Sequence, residues 1–159
     1  MTSAPPKDVP GVIAPPPFIY LAFLIAGWGI DKALGTPALP VDATGRKAVA
    51  LALIIGGFAL EMWAGGLFRK AGTNVVPYSP ATALVTDGPY RFTRNPMYVG
   101  FALTYLGLAI GLNAPTAIAL LLPCLVLMTW GVILREERYL ERKFGQAYLD
   151  YRKRVRRWL

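Results

Sequence analysis

The sequence predicts an all-α fold, an integral membrane bundle of four transmembrane helices with a cytoplasmic loop and a C-terminal amphipathic helix. Three observations predict it. Hydrophobic residues make up 55% of the 159, charged residues only 16%, and mean hydropathy is +0.43, which leaves too little polar surface for a water-soluble domain. No charged residue occurs from Asn95 to Leu134, a run about twice the roughly 20 residues that one crossing needs. Of 17 basic residues, only Lys32, Arg46 and Lys47 lie between the first two apolar segments; the other 14 lie at the N-terminus, between Arg69 and Arg94, or from Arg135 onward. The positive-inside rule then puts both termini on the cytoplasmic side.

Each element follows in order. Residues 1–16 are Pro-rich, lack the basic start and small-residue cleavage site of a signal peptide, and read as a flexible tail. Residues 17–159 read as a single domain. The first span covers about 17–34, and the loop after it holds Gly35, Pro37 and Pro40. The second covers about 46–68, with Thr44 as its expected cap. Its Gly56-Gly57 and Gly65-Gly66 pairs would let another helix approach closely, and they permit oligomerisation without demanding it. Loop 69–95 contains Gly72, Pro77, Pro80, Gly88 and Pro89, which oppose a long helix, while Tyr78, Tyr90 and Phe92 oppose simple disorder. The third span, 96–112, opens on Pro96, a favoured first helical residue. Asn113-Ala114-Pro115 is a turn signal, and the fourth span, 115–134, carries Pro123 as an expected kink. The two spans form a hairpin that brings Arg94–Tyr98 and Glu136-Glu137 to one membrane face. From 136 to 158, Leu140, Phe144, Ala147, Tyr148, Tyr151 and Val155 recur at helical spacing against a basic face, as in a helix lying on the cytoplasmic surface.

Composition also excludes chemistry. One Cys and no His rule out an internal disulfide, a Cys/His zinc site and an imidazole base, so no metal site is expected. Proton transfer falls to carboxylates, tyrosines, water or the substrate. A pI near 9.9 invites a nucleic-acid reading, but the basic residues flank membrane segments, so membrane lipids are the expected surroundings, a bacterial-type inner membrane if the source is prokaryotic. With the apolar part of the first span ending near Ile30, Glu61 is the only acid inside an apolar segment and is a candidate catalytic and substrate-binding group. Its alternatives are a pair with Arg69 or Lys70, or a hydrogen bond to a neighbouring helix. Glu137 reads as a solvated partner of Arg138 or Arg135, and Cys124 as an inert buried thiol.

The ordered set Gly88-Pro89-Tyr90, Arg94-Asn95-Pro96-Met97-Tyr98-Val99-Gly100, the hairpin, Glu136-Glu137 and Phe144-Gly145-Gln146-Ala147-Tyr148-Leu149-Asp150-Tyr151-Arg152-Lys153-Arg154-Val155 resembles a known group. That group is the isoprenylcysteine carboxyl methyltransferase-like membrane proteins, related to phosphatidylethanolamine N-methyltransferases; the resemblance spans about Leu67 to Val155. It implies use of S-adenosylmethionine, leaving S-adenosylhomocysteine, at the cytoplasmic ends of the last two membrane helices. It also implies methylation of a lipophilic acceptor, at oxygen, nitrogen or sulfur, that enters from the bilayer. The implied cofactor contacts are Thr82, Ala83, Leu84, Val85, Tyr90, Asn95, Pro96, Met97, Tyr98 and Glu136, with Asn74 as a looser one. Arg94 would support the cofactor carboxylate or anchor the loop, and Tyr148 and Tyr151 are candidate substrate-side groups. Two departures stand out. The family's His is Asn95 here. An Arg that precedes the acidic pair by a helical turn in prenylcysteine enzymes is replaced by apolar sequence around Val132, which argues against a prenylcysteine carboxylate acceptor. The competing readings are an NADPH-dependent membrane reductase that shares the hairpin and a non-catalytic small membrane subunit.

Overall fold

A computed structural model describes residues 8–76 and 78–159, and every regular element in it is helical. Helix α1, Pro16–Leu34, starts on prolines that need no hydrogen-bond acceptor and ends at Gly35, whose φ of 63° only glycine adopts without strain. Helix α2, Ala43–Lys70, begins three residues earlier than its apolar pattern suggested. The cap is Asp42 rather than Thr44: its carboxylate accepts the N–H groups of Thr44 at 3.0 Å and Gly45 at 2.8 Å. Helix α3 is Pro96–Gly111 and α4 is Pro115–Met128. A π-helical turn, Thr129–Ile133, joins α4 without a break to α5, Leu134–Phe144. The helix runs through Pro123, and its irregularity lies at that π turn instead.

The expected single helix over 136–158 is two helices. Gly145, with φ 54° and ψ −128°, ends α5, and α6 covers only Gln146–Arg154. Beyond it the chain turns extended at Val155 and Arg156 makes an isolated bridge with Thr93. Residues 8–15, expected in a flexible tail, instead pack on the bundle: Val12 is buried and the Ile13 N–H donates to Gly131 O at 3.2 Å. The rest of that expected tail, 1–7, lies outside the described residues.

Three helices are long and apolar enough to cross a membrane: Pro16–Leu34, Ala43–Lys70 and the continuous Pro115–Phe144. Helix α3 is apolar but has 16 residues, about 24 Å at 1.5 Å per residue. Helix α2 packs along α3, and α1 along α4. The core between them gathers Tyr20, Leu24, Tyr105, Ala117, Cys124 and Met128. Tyr105 donates its phenol to Ala117 O at 2.6 Å, and Tyr20 donates to Tyr98 O at 3.0 Å, so hydroxyls in an apolar interior are satisfied.

The hairpin turn is held from the other helices. Asn113 takes a left-handed φ of 56°, and its Oδ1 accepts the Leu39 N–H at 3.0 Å. Asp31, at the end of α1, accepts the Thr116 O–H at 2.6 Å and the Thr116 N–H at 3.1 Å, so it caps α4 from another helix. Arg46 Nη1 donates to Ile110 O at 3.2 Å and Gly111 O at 2.6 Å, which satisfies the free carbonyls that end α3. Asp31→Ala should lower stability by about 1–2 kcal/mol, the range for a lost helix cap. A thermal midpoint in detergent checks this, and an unchanged midpoint would count against the interhelical cap.

Candidate functional site

The loop between α2 and α3 is ordered by its own polar side chains. Thr73 is buried, and its Oγ1 accepts the Thr82 N–H at 2.9 Å; Thr82 Oγ1 donates to Gly72 O at 2.9 Å. Asn74 Nδ2 donates to Pro80 O at 3.1 Å, and the Ala81 N–H donates to the Tyr139 hydroxyl at 2.9 Å. These bonds lay the segment against α5. A short 3₁₀ turn, Gly88–Arg91, then buries Tyr90 against Phe68, with ring centroids 5.5 Å apart. Tyr151 of α6 donates to Tyr90 O at 2.8 Å and fixes that turn from the other side.

Together these elements line a partly open cavity of about 400 Å³, within the size range of small-molecule and cofactor sites. Of the residues singled out from sequence, Asn74, Ala83, Leu84, Val85, Tyr90, Arg94, Asn95, Met97, Tyr98, Glu136, Tyr148 and Tyr151 line it. Three do not. Thr82 spends its polar atoms inside the loop. Pro96 is buried as the first residue of α3. Glu61 faces α3, where its carboxylate accepts the Thr104 O–H at 2.9 Å and packs beside Gly100. Its position matches the hydrogen bond to a neighbouring helix that was one of its alternatives.

At the base of the hairpin Tyr98 donates its phenol to Glu136 Oε1 at 2.7 Å, joining the start of α3 to α5. One residue on, Glu137 is not solvated. It is 6% exposed and accepts from Arg94 Nη2 at 2.6 Å and from Arg157 Nε and Nη2, both at 2.9 Å. Arg94 also donates to Arg152 O at 3.0 Å and Val155 O at 3.1 Å. Asn95 Nδ2 donates to Arg157 O at 2.9 Å, so the residue in place of the family's His fastens the C-terminal segment. Burial pushes the Tyr148 phenol up to about 12 and raises those of Tyr90 and Tyr151 as well, so all three stay neutral donors at physiological pH.

Sequence reasoning passed over Tyr139 and Leu140 as cavity residues, although both line it. They stand three and four positions after Glu136, on its helix face, and that spacing was the available signal. Pro10 and Pro15–Pro17, which also line the cavity, carried no such signal.

The cavity suits a small ligand with both charges. Glu136 supplies a carboxyl group beside neutral phenols, and Arg94 Nε is buried with no hydrogen-bond partner among the described residues. A cofactor bearing an ammonium, a sulfonium and a carboxylate fits that donor set: Glu136 for the ammonium or a ribose hydroxyl, Arg94 for the carboxylate, and the Tyr90 and Tyr98 rings for the sulfonium.

The fold and the cavity define a membrane-embedded helical protein with a cavity carrying a few polar groups at the foot of an apolar hairpin. Residues 46–147 match the family model described as phospholipid methyltransferase, and the chain belongs to that family. It is 43% identical over 74 residues to a protein-S-isoprenylcysteine O-methyltransferase of Schizosaccharomyces pombe, a match covering 45% of this chain and 30% of that one. It is 35% identical over 77 residues to protein-S-isoprenylcysteine O-methyltransferase B of Arabidopsis thaliana, over 45% of this chain and 36% of the relative. An uncharacterized protein of Haemophilus influenzae is 36% identical over 63 residues, 40% of this chain and all of that one. The chain thus matches about a third of the length of the two named methyltransferases.

Proposed function

We propose that this protein transfers a methyl group from S-adenosylmethionine to a lipophilic acceptor at the cytoplasmic face of a membrane. The observation that carries the reading is the Tyr98–Glu136 pair at 2.7 Å, set beside Arg94 with its unpartnered Nε in a 400 Å³ cavity. Membership of a methyltransferase family supports it. In the proposed topology α3, short as it is, also crosses and makes four spans, and both termini are cytoplasmic, in keeping with the placement of the basic residues.

When bound, S-adenosylmethionine supplies an electrophilic methyl that a nucleophile takes by in-line displacement. The chain's own residues then align and enclose. Glu136 holds the ammonium or ribose end, oriented by the Tyr98 phenol, and Arg94 holds the carboxylate. Tyr90 and Tyr148, neutral and buried, keep water away from the reacting end. The acceptor enters from the bilayer and meets the apolar wall formed by Phe68, Phe101 and Tyr151. Lacking an imidazole, the site suits an acceptor that is already nucleophilic or loses its proton to water.

Equilibrium binding of S-adenosylmethionine, S-adenosylhomocysteine and NADPH to purified protein tests the proposal. The first two should bind and NADPH should not. Glu136→Ala should weaken binding about 10- to 100-fold, the worth of a hydrogen bond to a charged group. Binding of NADPH alone would replace the methyltransferase reading with a reductase, and binding of none would favour a non-catalytic subunit.

A further inference from the structure

Residues Asp8–Pro17 precede the family-matched region 46–147, yet they complete the cavity: Pro10, Pro15, Pro16 and Pro17 form part of its lining. The segment is fastened to the π turn and α5 at three points. Asp8 pairs with Lys143; Gly11 O accepts from Arg135 Nη1 at 2.8 Å; Ile13 donates its N–H to Gly131 O at 3.2 Å and lays its side chain on Gly131. Only the last of these is backed by buried apolar contact, through Val12. The Asp8–Lys143 pair is exposed and contributes little, while the Arg135 bond is a charge-assisted one to a carbonyl.

The wall and its fastenings differ in kind. Proline side chains offer hydrocarbon and no donor, so this wall gives a bound ligand no polar grip. The polar groups all stand on other elements: Glu136 on α5, Tyr98 on α3, and Arg94 in the loop before it. Only Val12 and Ala14 of this stretch reach the core, and a segment with so short a buried part opens at a lower free energy than the helices around it. We propose that Asp8–Pro15, the stretch leading into α1, is the removable wall of the cavity, and that ligands exchange with solvent and bilayer when it lifts from Gly131 and Arg135. The inference rests on the methyltransferase reading for its probe. If exchange passes only through the open form, weakening a fastening raises the association and dissociation rates together and leaves the dissociation constant nearly unchanged.

Gly131 supplies a size-swap test. A Cβ there would collide with Ile13 Cδ1 and lie 2.9 Å from its Cγ1. Gly131→Ala should therefore displace the Ile13 side chain and loosen the segment, and adding Ile13→Ala, which removes both Cγ1 and Cδ1, should let it settle back. The measurement is the exchange kinetics of radiolabelled S-adenosylhomocysteine on the full chain in lipid nanodiscs, for wild type, Arg135→Gln, Gly131→Ala and the Gly131→Ala/Ile13→Ala double variant. Expected is a rise of about tenfold in both rates for the single variants, the effect of about 1.4 kcal/mol on opening. A return toward wild-type rates in the double variant completes the expected pattern. Dissociation that rises alone would mean the segment grips the ligand, and unchanged rates would mean exchange takes another route; either overturns the inference while the methyltransferase reading stands. A wild-type protein that binds no S-adenosylhomocysteine would overturn both.

Discussion

Glu137→Ala is expected to destabilise the protein by about 3–5 kcal/mol, the cost of stranding buried charge by removing its partner. The carboxylate is 6% exposed and is the counter-ion of both Arg94 and Arg157. Without it the Arg94 guanidinium, itself 9% exposed, stays buried with only carbonyl partners. The damage should spread, because the cluster joins three pieces of chain. The Arg94 N–H donates to Arg156 O at 2.8 Å, Thr93 Oγ1 donates to Arg157 O at 3.1 Å, and Asn95 Nδ2 reaches the same carbonyl at 2.9 Å. Loosening Arg157 therefore frees the loop that presents Arg94 and Asn95 to the cavity. Thermal unfolding in detergent should show a clear fall in midpoint, with weaker S-adenosylhomocysteine binding at a temperature where the variant is still folded. Arg157→Ala should be milder, since that side chain is 37% exposed and Arg94 still neutralises Glu137. Equal stability of Glu137→Ala and wild type would rule the cluster out as a support of the site.

The second large effect is expected at the contact between α2 and α3. A Cβ on Gly57 would lie 2.5 Å from Thr104 Oγ1, 2.7 Å from Gly100 O and 2.8 Å from Thr104 N. On the facing helix, a Cβ on Gly100 would lie 2.6 Å from Glu61 Cγ and 2.8 Å from Gly57 O. Two backbones meet here with nothing between them, and in a bilayer such packing is what holds helices together. Gly57→Leu cannot be absorbed by rotating a side chain; α2 has to move away, and the Glu61–Thr104 hydrogen bond goes with it. The expected result is no monodisperse protein in detergent extraction and size exclusion. Gly56→Leu is the control on the same helix turn, since a Cβ there meets nothing within 4 Å. If both variants behave like wild type, the close approach contributes nothing that matters.

Much of the candidate site was legible before any coordinates. Tyr90, Asn95, Met97, Tyr98 and Glu136 were read as a group and they line one cavity. They were readable because the hairpin has a fixed consequence: two apolar helices joined at Asn113–Pro115 return their outer ends to one place, whatever packs around them. Glu61 was drawn toward the site by its rarity as a membrane acid. Its helix face, which sequence does not settle for an apolar helix exposed to lipid on most sides, turns it to Thr104 instead.

The sequence by itself determined the helical class, the hairpin and the polar loop beside it, because these follow from local facts: a charge-free run, a turn, a proline at a helix start. Only the tertiary structure decided which of two adjacent glycines meets α3, where Glu137 finds its counter-ions and what closes the cavity on the α1 side. Those answers depend on partners far apart in the chain, Arg94 with Glu137 across 43 positions and Gly11 with Arg135 across 124. No periodicity encodes such pairings, since periodicity assigns a residue to a face and leaves open what that face will meet.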